Sequence, residues 1–277
     1  TFANLALEAG LPAGVLNVVP GLGATAGAAL CANKGINHIS FTGSVATGRL
    51  VQAAAAYNII PVTLELGGKS PQLFFEDANL ENALPFLVNA GIQNGGQTCS
   101  ASSRILVHRS RYDEVIDRMS QKYQELIVRP AIDDGALGPL ISERQKTIVE
   151  GFISKGKNLN LVAQGEIDSK APAKGHYIAP HLFSDVSEDH VLAKDEIFGP
   201  VQVIMPFDTE EEAIKIANGT DYGLVASIWT NDGARQMRLA KKLKSGQVFI
   251  NNYGAGGGVE LPFGGRGFSG HGREKGF

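Results

Sequence analysis

Short apolar runs rich in β-branched residues alternate with amphipathic segments along the whole chain. This alternation predicts an α/β fold with largely parallel sheets. In the first 68 residues we predict strands at 15–19, 38–42 and 59–66, and helices at 21–33 and after Gly43-Ser44. Two strand–turn–helix units in succession form half of a doubly wound domain.

The alternation continues beyond residue 68 and predicts a second α/β domain. Its strands are predicted at 72–75, 105–108, 201–205, 224–229 and 247–251. Its helices are predicted at 80–94, 112–127, 143–154, 210–217 and 233–243.

Both ends of the sequence look cut. Thr1 opens within what reads as the last turns of a helix, which Gly10 and Pro12 stop. Residues 270–277 stop without a finished element. We therefore expect a fragment of a longer protein.

Composition narrows the class of protein. Apolar residues make up 43% of the 277, and the 34 glycines follow no repeat, which argues against collagen-like and disordered chains. A net charge of −3 argues against a nucleic-acid partner. Tyr57, Asn58 and Pro61 interrupt the apolar stretch 53–62, so no membrane span is expected. Two cysteines without a CxxC pattern suit a reducing cytosol, and we expect a cytoplasmic protein.

Two glycine-rich turns follow predicted strands. Gly43-Ser44-Val45-Ala46-Thr47-Gly48 opens a helix, where free N–H groups and the helix dipole can hold a pyrophosphate. Taken alone, such a turn is more often a plain bend. The pair Gly21 and Gly23 lacks the third glycine spacing of a dinucleotide fingerprint and is a weaker signal.

Glu65 stands near the end of an otherwise apolar strand and precedes Gly67-Gly68-Lys69. It is either a solvent-facing carboxylate, free or paired with Lys69, or a general base whose pKa partial burial raises. The carboxyl end of a strand is where α/β proteins build their sites.

Cys99 lies in a loop of glycines and small polar residues, whereas Cys31 lies among apolar helix positions. The polar loop suits a reactive thiolate, with backbone N–H groups to stabilise its charge. Cys31 reads as inert packing. The six histidines show no metal-ligand spacing, so neither a Cys-His hydrolase nor a metal site is indicated.

Five strings occur in the order typical of the aldehyde dehydrogenase superfamily, and the whole chain resembles that family. The strings are Phe41-Thr42-Gly43-Ser44, Leu64-Glu65-Leu66-Gly67-Gly68-Lys69-Ser70, Gly96-Gln97-Thr98-Cys99, Glu196-Ile197-Phe198-Gly199-Pro200 and Pro262-Phe263-Gly264-Gly265. The resemblance implies an incomplete Rossmann-like cofactor domain followed by an α/β catalytic domain. It places the cofactor domain at 1–67, the catalytic domain at 68–268 and the start of a C-terminal tail at 269–277.

The resemblance also implies a mechanism. Cys99 adds to an aldehyde, hydride leaves to NAD or NADP, and Glu65 activates the water that hydrolyses the thioester, while Glu274 relays protons. Ser44 contacts the pyrophosphate, Glu196 and Gln145 the nicotinamide ribose, and Phe198 packs nearby. Further implied cofactor contacts are Gly23, Phe41, Gly43, Thr47, Leu66 and Gly67, and implied substrate contacts are Phe263 and Gly257.

Several alternatives remain open. A dehydrogenase that passes its acyl group to coenzyme A would not need the base Glu65, and a non-catalytic relative would keep only the fold. The family's oxyanion asparagine and its adenosine-ribose contacts lie upstream of this sequence, so the choice between NAD and NADP is open. The small loop 251–258 predicts a roomy pocket for a bulky or aromatic aldehyde. Relatives imply a homodimer or homotetramer for the full-length parent.

Overall fold

The computed structural model describes residues 2–254 and 258–276. Its helices are α1 (Phe2–Glu8), α2 (Ala28–Ala32), α3 (Val45–Asn58), α4 (Leu80–Ile92), α5 (Tyr112–Gln124), α6 (Glu143–Lys155), α7 (Val191–Lys194), α8 (Glu210–Ala217) and α9 (Gly233–Lys242). Its strands are β1 (Ile39–Thr42), β2 (Val62–Glu65), β3 (Pro71–Phe74), β4 (Arg104–His108), β5 (Ile127–Val128), β6 (Asn160–Gln164), β7 (Glu166–Ile167), β8 (His181–Ser184), β9 (Val201–Phe207), β10 (Val225–Trp229), β11 (Gln247–Ile250) and β12 (Gly270–His271).

A small sheet of order β1-β2-β12 carries the first strand-and-helix units. β1 and β2 are parallel and end together, with Thr42 opposite Glu65. The last strand, β12, returns to pair antiparallel with β2, so that Gly270 lies opposite Glu65. The sequence reading did not predict β12, because its partner lies about 200 residues upstream, where local patterns carry no information.

The larger sheet has seven strands in the order β11-β10-β3-β4-β9-β8-β6. All its neighbours are parallel except β6, which pairs antiparallel with β8. Two apolar clusters cover the faces of this sheet: one contains the inward residues of α6 to α9, and the other those of α4 and α5. A central sheet buried on both faces explains the continuous apolar runs of its strands. The α/β architecture is confirmed.

Helix α3 follows β1 because its sequence supplies both caps. The Ser44 side chain accepts a hydrogen bond from the N–H of Thr47. At the other end Ile59 caps the helix with a left-handed backbone, φ of 55°. Val51 and Ala55 are buried and join the core of the small sheet with Leu64 and Leu66. This packing fixes the start of α3 next to the end of β2.

The strand expected at 15–19 is absent. Val15, Val18 and Val19 are exposed, and no strand of the described chain lies beside this segment to accept a ladder of hydrogen bonds. Pro20 directly follows the segment, and apolar residues without a neighbouring strand do not form a strand.

Three other boundaries differ from the sequence expectation. The helix expected at 21–33 is a π-helical turn, Gly23–Gly27, followed by the short α2. The strand expected at 59–66 begins only at Val62, because residues to 58 belong to α3. The helix expected at 112–127 ends at Gln124, since Ile127–Val128 pairs with Glu166–Ile167 as β5.

Between residues 154 and 201 the sequence reading missed β6, β7, β8 and the short α7. β8 is only four residues long and is completely buried, so it offers no alternation of polar and apolar positions. Within the described residues, no helix combines the length and the apolar character that a membrane crossing needs.

Candidate active site

A cavity of about 650 Å³ opens where the carboxyl end of the small sheet meets the larger sheet. Its walls come from segments that are distant in sequence. Eight of the twelve lining residues, Cys99 included, were predicted from the sequence as site residues. The lining residues are Thr42, Gly43, Ser44, Glu65, Gly67, Asn94, Gln97, Thr98, Cys99, Gln145, Glu196 and Phe198. The cavity therefore combines a thiol, two carboxylates and a helix start in one space.

Cys99 follows three residues with left-handed backbone, Asn94, Gly95 and Gly96, whose φ angles are 54°, 63° and 74°. Gly96 must lack a side chain, because a Cβ atom there would lie 2.1 Å from the carbonyl oxygen of Gly199. This turn brings the partly buried thiol to the cavity wall.

The electrostatics of Cys99 favour the protonated thiol. Burial raises its pKa, and the charges of Glu196 and Glu65 raise it further. The backbone N–H groups of Ser100 and Cys99 oppose this shift because they hydrogen-bond the thiolate. The thiol therefore needs a cationic group or a base nearby before it ionises at neutral pH.

Glu65 ends β2 and is 5% exposed. Neither carboxylate oxygen has a hydrogen-bond partner, and burial, followed by the charge of Glu274, raises its pKa to about 7; Arg273 and Lys275 oppose the shift. A carboxyl that titrates near neutrality can accept a proton from water as a general base. The alternative of pairing with Lys69 fails, because neither residue forms an ion pair among the described residues.

Glu274 and Phe263 lie on one backbone bridge. Each donates its N–H to the carbonyl of the other at 2.7 Å. The Glu274 carboxylate accepts a hydrogen bond from the Ser40 hydroxyl on β1. Phe263 packs in a small apolar cluster that also contains Cys99 and Tyr253. The bridge thus links the surroundings of the thiol to those of Glu65.

Glu196 reaches across the cavity to the residues after β2. Its Oε1 accepts a 3.0 Å hydrogen bond from the N–H of Gly68. A Cβ atom at Gly67 would lie 1.9 Å from Oε2 of Glu196, so only glycine fits there. Burial raises the pKa of Glu196, and the Gly68 N–H and the charge of Lys69 lower it. Oε2 keeps no partner among the described residues and can accept from a ligand hydroxyl.

Phe198 is 38% exposed and adopts a left-handed backbone with φ of 54°. The Gln145 side chain on α6 donates from Nε2 to the carbonyls of Phe198, at 2.9 Å, and Ile197, at 3.3 Å. Gln145 therefore supports the loop that carries Phe198, and its Oε1 is the atom left to meet a ligand. The ribose contact that the resemblance implies for Gln145 does not include this supporting role.

The start of α3 forms another wall. Gly43 and Ser44 line the cavity, and the N–H of Gly43 donates to the carbonyl of Glu65 at 3.0 Å. The Phe41 ring lies under Gly43, where a Cβ atom would be 2.5 Å from it. Thr47 lies one turn into α3, with its hydroxyl 3.0 Å from that of Ser44. The first turn of this 14-residue helix can thus face an anion in the cavity.

Other sequence-predicted residues lie away from the lining. Leu66 packs under α3, where a Cβ atom at Gly48 would be 2.7 Å from it. Gly23 starts the exposed π-helical turn. Gly257 lies outside the described residues. The role of each as a ligand contact stays a prediction. No cluster of histidine, cysteine or acidic side chains within the described ranges could hold a metal ion.

Sequence reasoning missed the importance of Lys69 and Tyr253. Lys69 is 2% exposed, its Nζ has no hydrogen-bond partner, and burial, followed by the charge of Arg104, lowers its pKa to about 7. Tyr253 is buried beside the thiol. The available signals were a lysine directly after an apolar strand and a lone aromatic residue in a glycine-rich loop.

Comparison with known proteins decides the family. The family model described as the aldehyde dehydrogenase family matches residues 1–277. This chain belongs to that family. A crystal structure of a protein described as an aldehyde dehydrogenase from Burkholderia cenocepacia superposes with a TM-score of 0.97 and 58% identity; the match covers 99% of this chain and 58% of that one.

Two further relatives of this aldehyde dehydrogenase family chain are informative. The aldehyde dehydrogenase of Emericella nidulans is 45% identical over 278 residues, which is 99% of this chain and 55% of that protein. A structure of aldehyde dehydrogenase C from Pseudomonas syringae, a cysteine-to-alanine mutant with NAD+ and octanal, has a TM-score of 0.93 and 40% identity; the match covers 99% of this chain and 57% of that one. The chain thus spans slightly more than half the length of the relatives it matches.

Proposed function

We propose that the whole protein oxidises an aldehyde to a carboxylic acid with NAD+ or NADP+, through a covalent intermediate on Cys99. The observation that carries the proposal is the single cavity that brings the Cys99 thiol, the Glu65 carboxyl and the Glu196 carboxylate together. The family relationship supports it. Cys99 is the nucleophile and Glu65 the general base.

The chemistry follows from these two residues. The Cys99 thiolate adds to the aldehyde carbon and gives a thiohemiacetal, whose collapse releases hydride and leaves a thioester. Glu65 then takes a proton from water, and the resulting hydroxide attacks the thioester carbon. The carboxylic acid leaves, and the C–S bond breaks to regenerate the Cys99 thiolate. Glu274 raises the pKa of Glu65 through its charge, which supports the proposal that it passes that proton onward.

The cavity fits a nicotinamide dinucleotide, which supplies the hydride acceptor when bound. The free Oε2 of Glu196 offers an acceptor for ribose hydroxyls, and the lack of a side chain at Gly67 leaves room for that carboxylate. The exposed Phe198 ring offers an apolar face for a planar group. The first turn of α3, with Ser44 and Thr47, suits a pyrophosphate. The relative that binds NAD+ and octanal supports the same ligand classes here.

The experiment compares Cys99→Ala with Cys31→Ala in the whole protein against a panel of aldehydes. We expect Cys99→Ala to abolish NADH or NADPH formation and Cys31→Ala to leave it normal. The reverse result would show that Cys99 is not the nucleophile. Product analysis decides the second step: a free acid without coenzyme A supports hydrolysis, whereas an acyl thioester formed only with coenzyme A contradicts the role of Glu65.

The domain division and the assembly belong to the same proposal. Residues 1–67 would form the C-terminal part of a cofactor domain and residues 68–268 the catalytic domain. Residues 269–277 would begin a C-terminal tail, in which β12 pairs with β2. A homodimer or homotetramer in the cytoplasm is proposed for the whole protein. Light scattering of the purified whole protein and its location in fractionated cells test these two statements.

A further inference from the structure

Tyr253 lies buried directly beside the nucleophile. It follows β11, is 9% exposed, and its ring packs against Phe249 with centroids 6.1 Å apart. The same small cluster contains Leu224 and the partly buried Cys99. Tyr253 does not line the cavity that Cys99 lines but a neighbouring one of about 470 Å³, and Asn94 lines both.

The Tyr253 hydroxyl donates a hydrogen bond to the backbone carbonyl of Ser100, the residue after the nucleophile. Two buried serines, Ser70 and Ser102, surround the same hydroxyl. Burial raises the pKa of Tyr253 well above its usual range, so the hydroxyl stays a neutral donor at every working pH. This contact joins two segments that are 153 residues apart in sequence.

Ser100 matters because its backbone N–H lowers the pKa of the Cys99 thiol, against the effect of burial. The turn around it is held on two more sides. The N–H of Ala101 donates to the carbonyl of Thr98 at 2.9 Å, and the Cys99 carbonyl abuts Gly68, where a Cβ atom would lie 2.3 Å away. The Ser100 carbonyl belongs to the same peptide group as the Ala101 N–H, and Tyr253 holds its oxygen end.

We propose that Tyr253 is a positioning residue, whose hydroxyl anchors the Ser100 carbonyl and thereby keeps the Ser100 N–H on the Cys99 sulfur. The inference rests on the proposed function, in which Cys99 is the nucleophile. The Tyr253 hydroxyl acts through the Ser100 carbonyl, to which it donates. Its effect should appear as a change in how readily Cys99 forms its thiolate.

The experiment measures carbamidomethylation of Cys99 by iodoacetamide between pH 6 and pH 10 in the whole protein, with peptide mass spectrometry to quantify the modified thiol. Tyr253→Phe removes only the hydroxyl. We expect the pH midpoint of Cys99 modification to rise and its rate at pH 7.5 to fall about 3- to 10-fold, less than the roughly 10- to 100-fold expected for losing a hydrogen bond to the thiolate outright, because the Ser100 N–H is displaced and not removed. Modification of Cys31 in the same samples should not change.

Two control variants separate anchoring from packing. Tyr57→Phe makes the same chemical change at a residue that is 85% exposed, and should leave the Cys99 profile unchanged. Phe249→Leu loosens the packing of the Tyr253 ring but keeps the hydroxyl, and should shift the profile by less than twofold. An equal shift in Phe249→Leu and Tyr253→Phe, or an unchanged profile in Tyr253→Phe, would overturn the proposal.

The remaining outcomes are also decisive. If Tyr253→Phe does not fold, amide hydrogen exchange across residues 98–102 of the unchanged protein replaces it, and exchange as fast as in an exposed turn would overturn the anchor. Failure of the proposed function is distinguishable: aldehyde oxidation that survives Cys99→Ala removes the function, whereas the modification profile of Cys99 reports on the Tyr253 contact alone.

Discussion

Gly67 and Glu196 are in direct contact: a Cβ atom on Gly67 would lie 1.9 Å from Oε2 of Glu196. The two residues are far apart in sequence, and the contact sets the width of the cavity between the end of β2 and the segment 196–198. It also leaves Glu196 next to Gly68, whose N–H donates to Oε1 at 3.0 Å.

The first prediction is that Gly67→Ala weakens NAD+ binding. The added methyl group must push the Glu196 carboxylate away, and a lost hydrogen bond to a charged group costs about 10- to 100-fold in affinity. Calorimetric titration with NAD+ measures it. Gly151→Ala is the matched control, because a Cβ atom at Gly151 meets nothing within 4 Å. Equal affinities in the two variants would contradict the proposed ribose site at Glu196.

The second prediction concerns Glu65. Its pKa of about 7 means that the carboxylate fraction grows as pH rises from 6 to 8, so thioester hydrolysis should accelerate over that interval and then level off. Glu65→Gln should slow steady-state turnover by roughly 10²- to 10⁴-fold and remove this pH dependence. A burst of NADH should survive, because hydride transfer precedes the hydrolysis.

Stopped-flow absorbance at the NADH band separates the burst from the steady state. Glu8→Gln, at an exposed helix position, is the control and should behave as the parent. A Glu65→Gln variant with the parent's steady-state rate and pH profile would show that Glu65 is not the general base.

The third prediction is a pH-dependent gain in stability for Lys69→Met. The pKa of Lys69 in the folded protein, about 7, lies below its unfolded value of 10.5, so the unfolded chain binds more protons between these two values. Stability contributed by this group therefore rises with pH through that window, and its burial penalty is largest below pH 7. Removing the amine should therefore increase the free energy of unfolding of the variant relative to the parent, by about 1–3 kcal/mol more at pH 6 than at pH 10.

Thermal unfolding of parent and variant at pH 6 and pH 10 tests it. Lys215→Met is the control, because that side chain is 71% exposed and pairs with Glu188. A stability difference between Lys69→Met and the parent that is the same at both pH values would mean that Lys69 is not a buried, easily deprotonated amine.

The fourth prediction assigns Gln145 to loop support. Gln145→Leu removes both hydrogen bonds to the carbonyls of Ile197 and Phe198 and should free the left-handed Phe198. We expect NAD+ affinity to fall about 3- to 10-fold, as for one or two neutral hydrogen bonds. Amide exchange in segment 196–200 should also accelerate. Weaker NAD+ binding with unchanged amide exchange would instead indicate that Gln145 acts only by touching the ligand.

The fifth prediction is that residues 1–277 expressed alone associate or aggregate. Val19 and Leu22 are 73% and 75% exposed, and β1 is an edge strand with no outer neighbour among the described residues. Exposed apolar surface beside an open edge favours association. Light scattering of the isolated chain measures it, and Val19→Lys with Leu22→Lys should reduce it. A stable monomer with ordinary activity would refute this prediction.

Much of the architecture is determined by local sequence. The periodic spacing of apolar residues predicted α3, α4, α6, α8, α9 and most strands of the larger sheet. Such spacing is informative because each element buries one apolar face. The strings around Glu65, Cys99 and Glu196 identified the family before any contact was known. The contrast between a polar glycine loop and an apolar helix separated Cys99 from Cys31.

Tertiary structure decided what depends on partners distant in the chain. The segment 15–19 has strand composition but no neighbour to pair with, whereas Gly270–His271 has none of that composition and pairs because β2 is there. The burial of Lys69 and the hydrogen bond from Tyr253 to Ser100 are also invisible in a window of ten residues. Sequence periodicity reports which face of an element is buried; only the packed chain fixes what that face meets, and pKa values and cavity shape follow from those contacts.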